Sequence, residues 1–365
     1  MLINYNDSIV NLTCSILKHF GAEYEHSTLK EIDELLDDEY NNIVVLLFDG
    51  MGIDAIQHHL LEDGFFRKNL IKEYSSVFPP TTTAATTSLE SGLTPLEHGW
   101  LGWSLYFHEI NKIVDAFTNM EKDKEIQAAD YPIAKRYIPY RSVYEKIKDA
   151  GNANAYSVSH FGSNRIETFD ELTEEIKRLC KISERKYIYG YWEYPDYLMH
   201  EHGCYSQLVT ESMKEIEDKV EMMCKELRDT LVIITADHGH SNLTHYVLSD
   251  YPKLLSMLRR PTSIEPRATA FYIKEEYLDD FPSEFYKHFH NEFILYSREE
   301  VIKKNIFGTG IMHPRFEEFI GDYLAIAIKD KGIVYSHKSA QFLSHHAGLT
   351  EKEIRIPLIA ISKHL

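Results

Sequence analysis

Along the chain, short unbroken apolar runs alternate with longer stretches in which apolar residues recur with helical spacing. Ile43-Val44-Val45-Leu46-Leu47-Phe48 is continuous, partly β-branched, and stops at Asp49-Gly50. That pattern predicts a strand buried on both faces, as in a parallel sheet. Residues 155–158, 186–191 and 231–235 repeat it, each after a helical stretch at 141–150, 170–182 or about 206–228. A further amphipathic helix is predicted over 6–20, capped by Asn6 or Asp7, with Ile9, Cys14, Ile16, Leu17 and Phe20 on its apolar side. The run 356–361 reads as a closing strand, and Pro357 predicts an edge or strand-start position for it. Strands alternating with helices imply βαβ units, so the predicted class is α/β, a mostly parallel sheet sandwiched by helices.

From about Asn242 the texture changes. Residues 268–273, 292–296 and 323–328 are strand candidates, and 281–290 and 298–305 are helix candidates. The expected organisation is a catalytic α/β domain made of 1–241 and 340–365, interrupted by a smaller α+β cap region, 242–339. No repeat or low-complexity tract interrupts this reading.

Composition narrows the function. The 365 residues carry 39 Lys+Arg against 57 Asp+Glu, a net charge of −18, which argues against a standing nucleic-acid partner. Cys14, Cys180, Cys204 and Cys224 form no CxxC pair and read as reduced thiols. No apolar run approaches the roughly 20 residues of a membrane span. The opening MLINYNDSIVNLTC lacks the pattern of a signal peptide. These features predict a cytoplasmic protein with no membrane partner; they are silent on oligomeric state.

In open α/β sheets ligands bind beyond the carboxyl ends of the strands. There this chain places Asp49, then Glu193-Tyr194-Pro195-Asp196 with His200, then Asp237-His238-Gly239-His240; Ser344-His345-His346-Ala347-Gly348 precedes the last strand. A lone aspartate after a strand is commonly a helix cap. Acids and histidines recurring at one sheet edge point instead to a metal site. Asp196 and His200 are spaced i, i+4 and share one face if Asp196 opens a helix. The candidates Asp49, Asp196, Asp237, His200, His238 and His346 exceed one tetrahedral sphere and suit two ions. Mixed Asp and His ligands favour Zn²⁺, with Mn²⁺ also compatible. Two divalent ions against three carboxylates leave a net positive charge that would draw in a phosphorylated substrate despite the acidic chain.

Phe78-Pro79-Pro80 is followed by Thr81-Thr82-Thr83-Ala84-Ala85. The prolines end an extended segment and a helix can start near Ala84. That sets threonine hydroxyls at a helix N-terminus, where an anion or alkoxide is favoured. Alone, such a run reads as capping hydroxyls. Beside a two-metal site it reads as a nucleophile, with Thr81, Thr82 and Thr83 as candidates.

Asp49-Gly50, Phe78-Pro79-x-x-Thr82, Ser91-Gly92-Leu93-x-Pro95-x-x-His98-Gly99, Pro195-Asp196-x-x-x-His200-x-x-Gly203, Ala236-Asp237-His238-Gly239 and His346-x-Gly348 occur in that order. Together they resemble the type I phosphodiesterase/nucleotide pyrophosphatase family of the alkaline phosphatase superfamily, from about residue 42 to the C-terminus. The resemblance implies an alkaline phosphatase-like fold and two zinc ions. It implies Asp49, Thr82, Asp237 and His238 around one ion, and Asp196, His200 and His346 around the other. By its offset from Phe78, Thr82 matches the nucleophile. His345 is a rival to His346, which the spacing to Gly348 favours.

Two departures bear on the substrate. Relatives often carry Pro-Asn-His after the nucleophile, where this chain has Ala84-Ala85-Thr86. They often carry an asparagine where this chain has Trp103, within the aromatic segment 100–107. That segment is either core or a wall on which a flat leaving group stacks. Arg267, in Glu265-Pro266-Arg267, could grip a phosphate with its planar fork or form a structural ion pair. The expected activity is metal-dependent hydrolysis of a phosphodiester or nucleotide pyrophosphate through phosphothreonine. A phosphomonoesterase or phosphonate hydrolase would use the same metals, and a non-catalytic metal-binding protein is the remaining alternative.

Overall fold

The structure is a computed structural model and describes residues 3–124 and 126–364. Two seven-stranded sheets organise it. The first contains the predicted strands, observed at Asn42–Phe48, Asn154–Ser159, Lys186–Trp192, Thr230–Thr235 and Arg355–Lys363. Asn42–Phe48 lies at its centre, parallel to Lys186–Trp192 on one side and to Thr230–Thr235 on the other. All seven of its residues are buried, which is why the sequence shows no apolar/polar alternation there. Helices Ile9–His19, Val143–Ala150, Phe169–Cys180 and Gln207–Glu226 flank the sheet.

Arg355–Lys363 runs antiparallel to both neighbours. By strand order it is interior, yet Pro357 still falls where the rule for proline requires. Residues 355–358 pair only with the edge strand Leu70–Ser75, and pairing with Thr230–Thr235 starts at Ile359. The missing N–H of Pro357 therefore costs no ladder bond on the inner side. Leu70–Ser75 escaped the sequence reading. Its mixed LIKEYS pattern belongs to a half-exposed edge.

The second sheet holds Ala268–Phe271, Phe293–Ser297 and Tyr323–Ala327, as expected for the cap region. Its strands alternate between two cores. Ala268, Ala270, Leu324 and Ile326 face one cluster with Phe78, Trp100 and Phe107; Phe271, Ala325 and Ala327 face the other with Phe281 and Phe285. In one respect the division at 242–339 is corrected. Ser104–Phe107, Lys112–Asp115 and Met120–Glu121 also belong to this sheet, joined through Ser263–Ile264. Sequence order hid this, because a hairpin early in the chain completes a sheet built mostly from late residues. Among the described residues no helix is long and apolar enough to cross a membrane.

Candidate metal centre and pocket

The three central strands are parallel, so their C-terminal ends deliver side chains to one sheet edge. Asp49 follows Asn42–Phe48, Asp196 opens the helix Asp196–His202 after Lys186–Trp192, and Asp237, His238 and His240 follow Thr230–Thr235. Ser241–Asn242 then pairs antiparallel with Ser344–His345, which lays His345 and His346 beside the Asp237–His240 loop. Gly239 allows a different close approach, that of the Lys352 backbone. A Cβ there would come within 2.0 Å of the Lys352 carbonyl oxygen. Immediately after His346, Ala347 takes a φ of 87°, a left-handed conformation unusual for a residue with a side chain.

The side chains converge in three overlapping groups whose ligand atoms all lie within 4.8 Å of one another. These are Asp49, Asp237 and His238; Asp196, His238, His240 and His346; and His200, His345 and His346. His238 Nε2 is 3.3 Å from Asp49 Oδ1 and 3.4 Å from Asp237 Oδ2. Asp196 Oδ1 is 2.5 Å from His240 Nε2, and its Oδ2 is 3.5 Å from His200 Nε2. His200 Nδ1 meets the Ser344 carbonyl at 2.9 Å. Nδ1 must carry the proton there, which leaves Nε2 with its lone pair toward the cluster. The structure thus brings together all six ligands expected from the sequence and adds His240 and His345. His240 carried a signal, standing two residues after His238, but the motif ends at Gly239 and drew attention away from it.

The donor set fits divalent cations. Asp237 Oδ2 and His346 Nδ1 are buried without a hydrogen-bond partner. Burial first, then the charge of Asp196, pushes the Asp49 carboxyl well above the usual range; burial and Asp49 do the same to Asp237. Burial favours the neutral form of His345 and His346, the form that ligates. Burial also pushes Asp196 upward, but His200 and His240 outweigh it and hold that carboxyl below its ordinary value. Buried carboxylates that repel one another beside neutral imidazoles lack a positive centre, which metal ions supply.

Thr82 is the first residue of the helix Thr82–Ser91. Its Oγ1 is 3.3 Å from both Asp49 oxygens and 3.1 Å from His238 Nε2. The neighbouring threonines are engaged or enclosed. Thr81 donates to Glu265 Oε1 at 2.7 Å, and Thr83 is fully buried. Thr82, Asp196, His200, His345 and His346 open onto a cavity of about 440 Å³. Trp103 forms part of its wall and remains 39% exposed. Of the aromatic segment, Trp100, Leu101, Leu105, Tyr106 and Phe107 are core, so the core reading holds for these neighbours, while Trp103 lines the cavity.

Arg267 does not reach the cavity. It is fully buried and pairs with Glu353 through Nε (2.5 Å) and Nη2 (2.7 Å), while Nη1 donates to the Lys329 and Lys331 carbonyls. The expectation that it binds substrate is corrected: its donors are engaged inside the protein.

Comparison with solved structures finds chains that share this fold. Murine ectonucleotide pyrophosphatase/phosphodiesterase 5 superposes with a TM-score of 0.69 at 17% identity, covering 88% of each chain. An inactive threonine-to-alanine variant of that protein in complex with AMP gives 0.69 at 16%, covering 90% of this chain and 88% of that one. Phosphonoacetate hydrolase from Sinorhizobium meliloti, in complex with phosphonoformate, gives 0.61 at 14%, covering 88% of this chain and 90% of that one. No curated protein matches the chain in sequence. The description of the type I phosphodiesterase/nucleotide pyrophosphatase family matches residues 43–348. The chain belongs to that family, a family of phosphoric ester hydrolases.

Proposed function

We propose that the protein hydrolyses phosphodiester or pyrophosphate bonds of small nucleotide-like molecules, with two divalent ions, zinc favoured, and Thr82 as nucleophile. One observation carries this reading: among adjacent threonines, only Thr82 has its hydroxyl both against Asp49 and His238 and open to the cavity. Bound ions, held by Asp49, Asp237 and His238 and by Asp196, His200, His240 and His346, would favour the ionised hydroxyl and offset charge on the leaving oxygen.

The remaining work falls to the chain. Asp49 accepts the Thr82 hydroxyl hydrogen bond and aims Oγ1. Oγ1 attacks phosphorus, the bond to the leaving oxygen breaks, and a phosphothreonine forms. Water then displaces Thr82 and releases the phosphate product. The positive end of helix Thr82–Ser91 favours the anionic group throughout. Trp103 offers a flat surface to a base, an analogy with the neighbour captured with AMP.

The test is zinc-loaded turnover of bis-p-nitrophenyl phosphate against p-nitrophenyl phosphate. The diester is expected to be the faster substrate, and Thr82→Ala to lose at least about a thousandfold (~4 kcal/mol) in kcat with metal content retained. Near-normal turnover in Thr82→Ala would overturn the assignment. A second reading, phosphonate hydrolysis at the same threonine, draws on the Sinorhizobium neighbour. Phosphate release from phosphonoacetate without diester turnover would select it.

A further inference from the structure

Helix Thr82–Ser91 begins without the cap its sequence offers. Thr81 is its N-cap residue, extended at φ −145° and ψ 148°, yet its side chain accepts no N–H from the first turn. Elsewhere hydroxyls of this chain cap in the ordinary way. Ser142, Thr168, Ser206 and Ser297 each accept a first-turn N–H, from Glu145, Glu171, Val209 and Glu300. The Thr81 hydroxyl turns away from its helix and donates to Glu265 Oε1 at 2.7 Å. Of the backbone groups, the Thr81 N–H reaches the Pro79 carbonyl, and the Ala85 N–H returns to the Thr81 carbonyl. Among the described residues the N–H groups of Thr82, Thr83 and Ala84 meet no acceptor. All three residues are buried, and a donor left unmet in such a place is unfavourable.

Glu265 is firmly held where it takes that hydroxyl. It lies in the cavity wall and is only 5% exposed. Its N–H donates to the Ala268 carbonyl at 3.0 Å, and its carbonyl accepts from Thr269 Oγ1 at 2.9 Å. Oε1 accepts a second hydrogen bond, from the Trp103 N–H at 2.7 Å. Gly102 admits the close packing this needs, since a Cβ there would lie 2.7 Å from Ile264 Cγ2. Ile264 itself takes a φ of 71°, a costly conformation for a β-branched residue. A buried carboxylate from the second sheet is thus fixed on the residue that precedes Thr82.

Resting on the reading of Thr82 as nucleophile, we infer that Glu265 is a positioning residue that acts through Thr81. It keeps the Thr81 hydroxyl off the first turn, so that the N–H groups there stay open to oxygens of the transferring phosphoryl group. Those donors lie beside the attacking Oγ1 at the positive end of the helix, where an anion is favoured. A capping hydroxyl would compete for them.

Calorimetric binding of inorganic phosphate to the protein loaded with stoichiometric zinc tests this apart from turnover. Glu265→Leu frees Thr81 to cap and is expected to weaken phosphate at least about tenfold. Glu265→Gln keeps an acceptor for Thr81 and should stay within about threefold of wild type. Thr81→Val has no hydroxyl to cap with. Alone it should also stay within about threefold, and in Glu265→Leu it should restore most of the lost affinity. A role confined to holding the fold together predicts the reverse, with Thr81→Val weakening binding as much as Glu265→Leu and the double variant worse than either. That reversal, unchanged affinity in Glu265→Leu, or no rescue in a folded, zinc-binding double variant would overturn the inference. If Glu265→Leu does not fold, Thr81→Val alone decides: retained affinity supports the inference and a roughly tenfold loss contradicts it. The Thr82→Ala assay reads turnover, so an enzyme that acts through Thr82 and binds phosphate equally well without Glu265 refutes this inference alone.

Discussion

Two buried polar clusters meet at Glu353, and they are finished in opposite ways. In the Arg267–Glu353 pair the guanidinium donates to two carboxylate oxygens and two carbonyls, while the Gly348 N–H and the Thr350 hydroxyl donate to Glu353. One residue-layer away, tied on by the Gly239 N–H to the Glu353 carbonyl, the Asp/His cluster leaves Asp237 Oδ2 and His346 Nδ1 without partners. The first cluster is closed and fixes the segment that carries His346. The second is open, its groups held in place but electrostatically unresolved. Burial alone therefore does not mark a site; burial with unmet ligand atoms does.

The largest effect should come from breaking the closed cluster. Arg267→Met strands the Glu353 carboxylate in the interior and should cost about 3–5 kcal/mol of stability, read by urea unfolding. Asp237→Asn should behave oppositely in the metal-free protein. It removes a carboxylate that Asp49 and burial both disfavour, so the apo form should melt no lower than wild type, while zinc affinity falls at least about tenfold. Equal apo-state destabilisation by both substitutions would erase the distinction between the clusters.

The next effect is pH dependence. Asp49 and Asp237 have carboxyl groups raised in the folded metal-free protein. A raised carboxyl means the folded state binds more protons than the unfolded one, so stability falls as pH climbs above the ordinary carboxylate range of about 4. Asp196 works the other way, losing its contribution as pH drops below that range. The two raised groups should dominate, and the gain in Tm on adding zinc should widen from pH 5 to pH 8. A gain independent of pH would show that the carboxylates are not the ligands.

The smallest effect concerns the wall opposite the metals. Trp103→Ala should raise KM for a nucleotide substrate by about tenfold, within the roughly 1–3 kcal/mol of a stacked base, and change it little for an aliphatic diester. Equal changes for both would assign Trp103 a structural part.

The legibility of these regions in the sequence follows the same divide. The central strands announce themselves because every residue of Asn42–Phe48 is buried, and the candidate ligands follow because parallel strands end at one edge. What escaped depends on tertiary pairing. The hairpin 104–115 looks like part of the α/β domain until Ser263–Ile264 joins it to the second sheet. Arg267 and Lys122 show why residue type is insufficient. The arginine placed in a proline-flanked turn is fully enclosed, while a lysine in an unremarkable Glu-Lys-Asp run faces the cavity. Only the partners each side chain finds separate them.

The central claim is that the open cluster is a two-ion site. Crystals of the zinc-loaded protein measured above and below the zinc absorption edge test it directly. Two anomalous peaks roughly 4 Å apart, one bounded by Asp49, Asp237 and His238 and the other by Asp196, His200 and His346, are the expected result. A single peak under excess zinc, or peaks away from these side chains, would contradict it.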